Sequence, residues 1–129
     1  MPKQIINPAG VSQPKGYSHA VKKCGTPVFL AGQVAYDANG KLVGEGDIAA
    51  QVEQVFQNLR TVVTACGGTM EDVVKLTIFV TDASHRPAVA AARLRHFADG
   101  QYPAATYLVI SALAAPQFLV EIEAVAMIE

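Results

Sequence analysis

The C-terminal segment, residues 102–129, decides the fold, and it reads YPAATYLVISALAAPQFLVEIEAVAMIE. Residues 104–112 are mostly β-branched, aromatic or small. The run AAPQ at 114–117 is typical of a turn, and a second apolar stretch begins at Phe118. The pattern predicts a strand, a turn and a second strand, paired as a buried β-hairpin.

The second of these strands carries two carboxylates on one face. Side chains alternate along a strand, so Glu121 and Glu123 point the same way, about 7 Å apart. Apolar neighbours and like-charge repulsion are expected to raise the pKa of at least one of them toward the range of a general acid or base. The alternative is an edge strand whose glutamates deter pairing with other chains. The residues alone leave both interpretations open.

The preceding chain predicts further strands and two helices. Residues 18–24 and 27–35 look like strands around Gly25-Thr26, which favours a second antiparallel hairpin. Asp47 is a plausible N-cap for a helix that ends at Gly67-Gly68, and residues 73–81 form a β-branched strand. A second helix starts near residues 82–84. Its predicted buried stripe is Ala90, Ala91, Leu94, Phe97 and Ala98.

The element order ββαβαββ, preceded by a short strand, predicts a two-layer α+β sandwich in which two helices pack on one face of a mixed β-sheet. With 129 residues, 51% hydrophobic and 16% charged, the chain fits a single domain spanning 1–129. It is apolar for its size, so we expect the open sheet face to be covered by another copy of the chain.

Composition also excludes several classes of protein. A net charge of −1 gives no electrostatic footprint for nucleic acid, and no uninterrupted apolar run approaches the roughly 18 residues of a transmembrane helix. The cysteines, Cys24 and Cys66, lack metal-type spacing, and no signal peptide precedes them. We therefore expect a cytoplasmic protein that binds neither a metal nor a membrane.

Several motifs resemble one known family. YSHAV at 17–21 is similar to that family's Tyr-Ser-Gln-Ala-Val, and AGQV at 31–34 is similar to its Ser-Gly-Gln-Ile. EDVVK at 71–75, PA at 103–104 and LVEIEA at 119–124 also match. Over essentially the whole chain the sequence resembles the Rid (YjgF-like) reactive intermediate deaminases, which are also described as endoribonuclease L-PSP-like. The resemblance implies the chorismate mutase-like Rid fold and a homotrimer.

The resemblance also implies a chemistry, the hydrolysis of enamines or imines at clefts between subunits, without a cofactor or metal. The family's water-activating glutamate maps on Glu121, which is the predicted catalytic residue. The implied substrate-binding positions are Tyr17, His19, Ala31, Gln33, Ala90, Ala105 and Tyr107.

Five of these positions depart from the family's pattern. His19 replaces a glutamine, Ala31 a serine and Tyr107 a small residue, while the family's helix asparagine falls near Ala90. The largest change is at Ala105, where active members carry the arginine that clamps a substrate carboxylate.

Loss of that arginine removes a contact of about 1.5–3 kcal/mol, so turnover of 2-iminopropanoate should be weak unless another cation substitutes. The candidates are Arg86 and Arg93, which lie on a similar face of the second helix. The alternative is that both face solvent. His19 could donate to a substrate carboxylate or act as a base.

These observations favour a Rid-like trimeric deaminase whose pocket has diverged toward an unusual enamine or imine, one that is less acidic and either larger or aromatic. The alternative is a non-catalytic trimer that binds a small metabolite. An endoribonuclease ranks last, because the sequence offers neither a catalytic histidine pair nor a basic groove.

Overall fold

The computed structural model describes residues 3–129, and its element order is the predicted one. A short strand is followed by the order ββαβαββ. The elements are β1 (Gln4–Ile6), β2 (Ala20–Lys22), β3 (Thr26–Gln33), α1 (Ile48–Ala65), β4 (Val73–Val80), α2 (Arg86–His96), β5 (Ala104–Val109) and β6 (Val120–Ile128).

The main sheet has four strands in the order β3-β6-β4-β5. Strand β6 is antiparallel to β3 and β4, whereas β4 and β5 are parallel, so the sheet is mixed. The helices α1 and α2 pack against each other and on one face of the sheet, and β1 and β2 form a separate antiparallel ribbon. The predicted two-layer α+β architecture is confirmed.

The predicted C-terminal hairpin is wrong. Strand β5 pairs in parallel with β4, with Ala105 beside Leu76, and β6 lies on the other side of β4. The inner-face side chains Val120 and Ile122 have no solvent exposure. A strand as apolar as β6 buries the most surface when it lies between two neighbouring strands. The connection at 110–119 therefore takes the chain across to the middle of the sheet. Because β6 is interior, the edge-strand explanation of its glutamates is also wrong.

The predicted hairpin around Gly25 is wrong as well. Strand β2 pairs with β1, and β3 pairs with β6, so that Thr26 lies opposite Ile128. Gly25 has a φ of +140°, and a Cβ there would lie 2.7 Å from the Ile128 carbonyl carbon. This glycine therefore lets the chain pass closely over the end of β6 instead of turning back on itself.

Helix α1 follows the prediction closely. The Asp47 side chain accepts a hydrogen bond from the Ala50 backbone N–H at 3.2 Å, which caps the helix. The apolar side chains at helical spacing are buried against the sheet, although Cys66 is exposed. The buried apolar residues of α1 are Val52, Val55, Phe56, Leu59 and Val63.

The buried face of α2 differs from the predicted one. Val89, Ala92 and Arg93 are buried, and Phe97 is buried just beyond the helix. Leu94 is 56% exposed. The remaining members of the predicted stripe, Ala91 and Ala98, are exposed, and Ala90 is half-buried. A run of alanines fits several helical registers, and the larger Val89 and Phe97 select this one because they bury more apolar area.

The sheet face opposite the helices is open in the single chain. Phe29 on β3 is 78% exposed and Leu108 on β5 is 40% exposed. Apolar side chains of this size on an open sheet are what a subunit contact would cover. The contact itself stays a prediction. Neither helix in the described part of the chain is long and apolar enough to cross a bilayer.

Candidate functional site

Glu121 lies on the open face of the sheet in a space that Gly32 provides. It pairs with Phe79 across β6 and β4 and is half-buried. The pairing of β3 with β6 is irregular between Leu30 and Gln33, and there the carboxylate lies over Gly32. A Cβ at Gly32 would be 3.0 Å from the Glu121 Cδ and closer still to Oε2. Only glycine leaves room for this carboxylate.

The residues that flank Gly32 lie on different faces of the sheet, because Gln33 is opposite the buried Ile122. Ala31 is exposed, and the Gln33 side-chain Nε2 donates to the Ala31 carbonyl at 3.4 Å. Gly32 and Gln33 line a hollow of about 500 Å³ between the end of β3 and α1. On the helix side, Asn58 Nδ2 donates to the Val34 carbonyl at 3.1 Å, which holds α1 against this end of β3.

Glu123 shares the open face with Glu121, as the alternation predicts. It is exposed, pairs with Thr77 on β4 and lines a hollow of about 140 Å³ with Phe29. No glycine opens space for it. The structure therefore distinguishes the two carboxylates, of which Glu121 has the more enclosed position.

Tyr17 and His19 are held beside β5 by Ser18, a residue that the sequence analysis missed. The buried Ser18 backbone N–H donates to the Pro103 carbonyl at 3.0 Å, and its Oγ donates to the Tyr102 carbonyl at 2.6 Å. These bonds attach the segment at the start of β5. The signals in the sequence were its position between two candidate site residues and its match to the serine of the family motif.

His19 is already partly engaged within the chain. Its Nε2 lies 2.7 Å from the Ser12 carbonyl, which can only accept, so Nε2 carries the proton and donates. Its ring contacts Tyr17 edge to face, with centroids 5.4 Å apart. Only Nδ1 is left for the predicted substrate contact.

Ala105 and Tyr107 lie on the helix side of β5. Their partners on β4 are Leu76 and Ile78, both without solvent exposure. The Arg86 Cζ lies 5.3 Å from the centroid of the Tyr107 ring, a cation–π contact. Burial raises the pKa of the Tyr107 hydroxyl, and Arg86 and Arg93 only partly offset this effect. Tyr107 therefore keeps its proton near neutral pH and is a hydrogen-bond donor.

Arg93 is buried, with 6% of its surface exposed, so its predicted solvent-facing alternative is wrong. Burial, together with the positive charge of Arg86, lowers the pKa of the Arg93 guanidinium. Arginine nevertheless stays charged at neutral pH. Arg93 and Ala90 line a hollow of about 120 Å³ with the loop residues Lys15 and Gly16. Arg86 is exposed apart from its contact with Tyr107.

The candidate residues thus form two groups on opposite faces of the sheet. Glu121 and the exposed Ala31 belong to the open side, whereas Ala105 and Tyr107 face the helices. Gln33 lies opposite the buried Ile122 and lines the hollow beside α1, so it is on the helix side as well. One small substrate cannot contact both groups of a single chain, because the sheet itself lies between them. Within residues 3–129 no cluster of three or more His, Cys, Asp or Glu side chains is arranged for a metal ion.

Comparisons with known proteins identify the family. The family model described as Endoribonuclease L-PSP matches residues 10–128. A 2-iminobutanoate/2-iminopropanoate deaminase of Dermatophagoides farinae is 34% identical over 99% of this chain and 98% of its own. The solved structure of the Rid-family protein YyfB of Yersinia pestis is 38% identical, covers 99% of this chain and 100% of its own, and superposes with a TM-score of 0.92.

A more distant solved structure agrees. RidA of an Antarctic Psychrobacter is 33% identical over 94% of this chain and 93% of its own, with a TM-score of 0.74. The matches extend over the sheet, both helices and the motifs that surround Glu121 and Tyr17. The chain belongs to the Rid (YjgF-like) family, whose members the Endoribonuclease L-PSP model describes.

Proposed function

We propose that this protein is a cofactor-independent deaminase that hydrolyses an enamine or imine at clefts between the subunits of a homotrimer. The altered positions around the cleft make its substrate different from 2-iminopropanoate. The cytoplasmic location predicted from the sequence is part of the proposal. The reaction consumes water and an imine and releases a ketone and ammonia. An enamine substrate would first tautomerise to the imine.

The observation that carries this proposal is the position of Glu121 over Gly32. The deaminase of Dermatophagoides farinae, 34% identical over almost the whole chain, supports imine hydrolysis as the type of reaction. Within residues 3–129, this half-buried carboxylate, whose space a glycine leaves open, makes no hydrogen bond or ion pair that would explain its position. It suits a group that must hold and deprotonate a water molecule.

The chemistry balances with one carboxylate. Glu121 accepts a proton from water as the water oxygen bonds to the imine carbon, and it passes this proton to the imine nitrogen to give a carbinolamine. Glu121 then accepts the proton of the carbinolamine hydroxyl and passes it to the nitrogen as the carbon–nitrogen bond breaks, so that a carbonyl group and ammonia are formed. Glu121 thus acts as a base and then as an acid in each of the two steps, and it ends as the carboxylate.

A cleft between subunits would bring the two groups of residues together. Glu121 on the open face of one subunit would meet the Tyr17 segment and the Tyr107 side of a second subunit. The 78% exposure of Phe29 on the same open face supports a contact there. This arrangement would let residues on opposite faces of the sheet contact one substrate.

The test is ammonia release from a neutral or aromatic enamine, measured above the uncatalysed background, with imines generated in situ from serine or threonine for comparison. We expect Glu121→Gln to lose about 10²–10⁴ in rate, the typical contribution of a general base, while the trimer persists. Glu123→Gln is the matched control, since it changes the same group two residues away, and it should cost much less. An active Glu121→Gln variant would contradict the proposed mechanism.

The second candidate is a non-catalytic trimer that binds a metabolite. Ala105 favours it, because this position lacks the guanidinium of active members. The two candidates are distinguished by product formation. A metabolite binder would bind 2-oxo acids, the stable products of imine hydrolysis, without accelerating ammonia release in the wild-type protein.

A further inference from the structure

Two polar groups beneath β5 are buried without a partner. Within residues 3–129, neither Arg93 Nε nor the Tyr107 hydroxyl makes a hydrogen bond. Arg93 is only 6% exposed. Buried donors of this kind are rare, because each one loses its bonds to water without replacement.

The charges around Arg93 make the burial of its guanidinium energetically unfavourable. The titratable groups that act on it are Arg86, Tyr107 and Tyr17, and none of these is a carboxylate. A second guanidinium nearby adds repulsion to the loss of solvation. Removing the counterion of a buried charge is strongly destabilising, so a cation placed in this way is expected to meet an anion in the functional state.

The geometry points to a site for that anion, and we propose that Arg93 and the Tyr107 hydroxyl bind the substrate's carboxylate in place of the guanidinium absent at position 105. Ala105 and Tyr107 are alternate residues of β5 and share a face, about 7 Å apart. Tyr107 therefore lies on the same strand face as the missing arginine, and Arg93 is near enough for its charge to act on the Tyr107 hydroxyl. This inference rests on the proposed function for the identity of the ligand.

The access to Arg93 fits a small anionic group. Arg93 lines a hollow of about 120 Å³ with Lys15, Gly16, Ala90 and Leu94. Gly16 packs there against α2, since a Cβ on it would lie 3.9 Å from Leu94 Cδ2. Lys15 adds another positive charge at the rim. A volume of this size has room for a carboxylate, and Tyr107 is not among the residues that line the hollow.

The hydrogen-bond donors of Arg93 and Tyr107 suit a carboxylate. A guanidinium presents two parallel N–H groups that match the two oxygens of a carboxylate, and a protonated phenol adds a third donor. The cation–π contact with Arg86 fixes the Tyr107 ring and hence the direction of its hydroxyl. This proposal differs from the sequence-based expectation of a less acidic ligand, because here the ligand carries a carboxylate that binds from the α2 side.

The test measures binding, so that it does not depend on turnover. The probes are 2-oxobutanoate, its neutral methyl ester and inorganic phosphate, titrated calorimetrically into the intact wild-type oligomer. We expect 2-oxobutanoate to bind and the ester to bind weakly or not at all. Equal binding of phosphate through Arg93 would contradict the assignment to a carboxylate.

The variants separate the anion site from a structural role. Arg93→Met should weaken 2-oxobutanoate binding roughly 10- to 100-fold, and Tyr107→Phe about 3- to 10-fold. Arg95→Met is the matched control on the same helix, because Arg95 pairs with Glu53 at 3.0 Å away from the hollow. It should bind like the wild type. Unchanged affinity in the Tyr107→Phe variant would overturn the proposal even if Arg93→Met did not fold.

Two further results would be decisive. If Arg93→Met dissociated the oligomer without changing affinity, Arg93 would be a partner for an acidic group of a second copy, and the proposal would be wrong. If 2-oxobutanoate bound through Arg93 but no imine released ammonia faster than background, the deaminase assignment would fail and the anion site would stand. If ammonia release were normal but the affinity for 2-oxobutanoate did not depend on Arg93, the anion site would be wrong and the deaminase assignment would stand.

Discussion

Replacing Gly32 by alanine should inactivate the protein without unfolding it. The new Cβ would lie 3.0 Å from Glu121 Cδ, and Oε2 would be closer than any permitted contact. The carboxylate must therefore move by about 1 Å, and a misplacement of that size costs about 10²-fold in rate. The backbone should tolerate the change, because Gly32 does not have a positive φ.

The effect of Gly32→Ala on stability should be small for a physical reason. The atoms that the new methyl group meets are the end of the flexible Glu121 side chain, which can rotate away toward solvent. We expect the free energy of unfolding to change by less than about 1 kcal/mol, in contrast to a substitution that crowds backbone. Urea denaturation beside the ammonia-release assay measures both quantities.

A matched control and a double variant sharpen this test. Gly68 also lacks a positive φ and is crowded by side chains, with Asp72 Oδ2 and Ile128 Cδ1 each 2.8 Å from its added Cβ, but it is remote from Glu121. Gly68→Ala should leave the rate unchanged.

Gly32→Ala should cause no further loss of rate when Glu121 is already replaced by glutamine, because both changes remove the same function. A Gly32→Ala variant with the wild-type rate would refute the role given to this carboxylate position.

Two other predictions concern assembly and pH. Phe29→Glu should dissociate the proposed trimer, because it would place a charge in the proposed subunit contact. Val11→Glu, at a loop residue that is 52% exposed, should not, and sedimentation equilibrium distinguishes the outcomes. Burial alone would raise the pKa of Glu53, but hydrogen bonds from Arg95 and His96 outweigh it and hold that pKa below its ordinary 4.5. Glu53→Gln should therefore lower the free energy of unfolding by up to about 1 kcal/mol above pH 4.5, and the difference should vanish as the pH falls through the lowered pKa. A difference that stays constant between pH 7 and 3 would contradict this.

Local patterns in the sequence predicted every element. Asp47 begins α1 and Gly67 follows its end, because capping and glycine conformations are decided by neighbouring residues. The shared face of Glu121 and Glu123 follows from the alternation of a strand alone. The family motifs identified Glu121 and Tyr17 as site candidates in the same way.

Strand pairing could not be predicted in this way. A short connection favours a hairpin, yet β2 and β3 do not pair, because the close passage at Gly25 depends on Ile128 at the far end of the chain. The parallel pairing of β5 with β4 depends likewise on where β6 buries its inner face. Such strand partners are distant in sequence, so local propensities do not predict them.

The amino-acid sequence thus determined the elements, their order, the family and the residues that could do chemistry, since all of these depend on local pattern. Only the tertiary structure decided the helical register that buries Arg93, the space over Gly32 that Glu121 occupies and the face on which each candidate lies. These depend on packing between distant segments. Two features are the most informative. The buried Arg93 approaches Tyr107 only because α2 packs near β5, and Glu121 lies over Gly32 only because β6 pairs with β3.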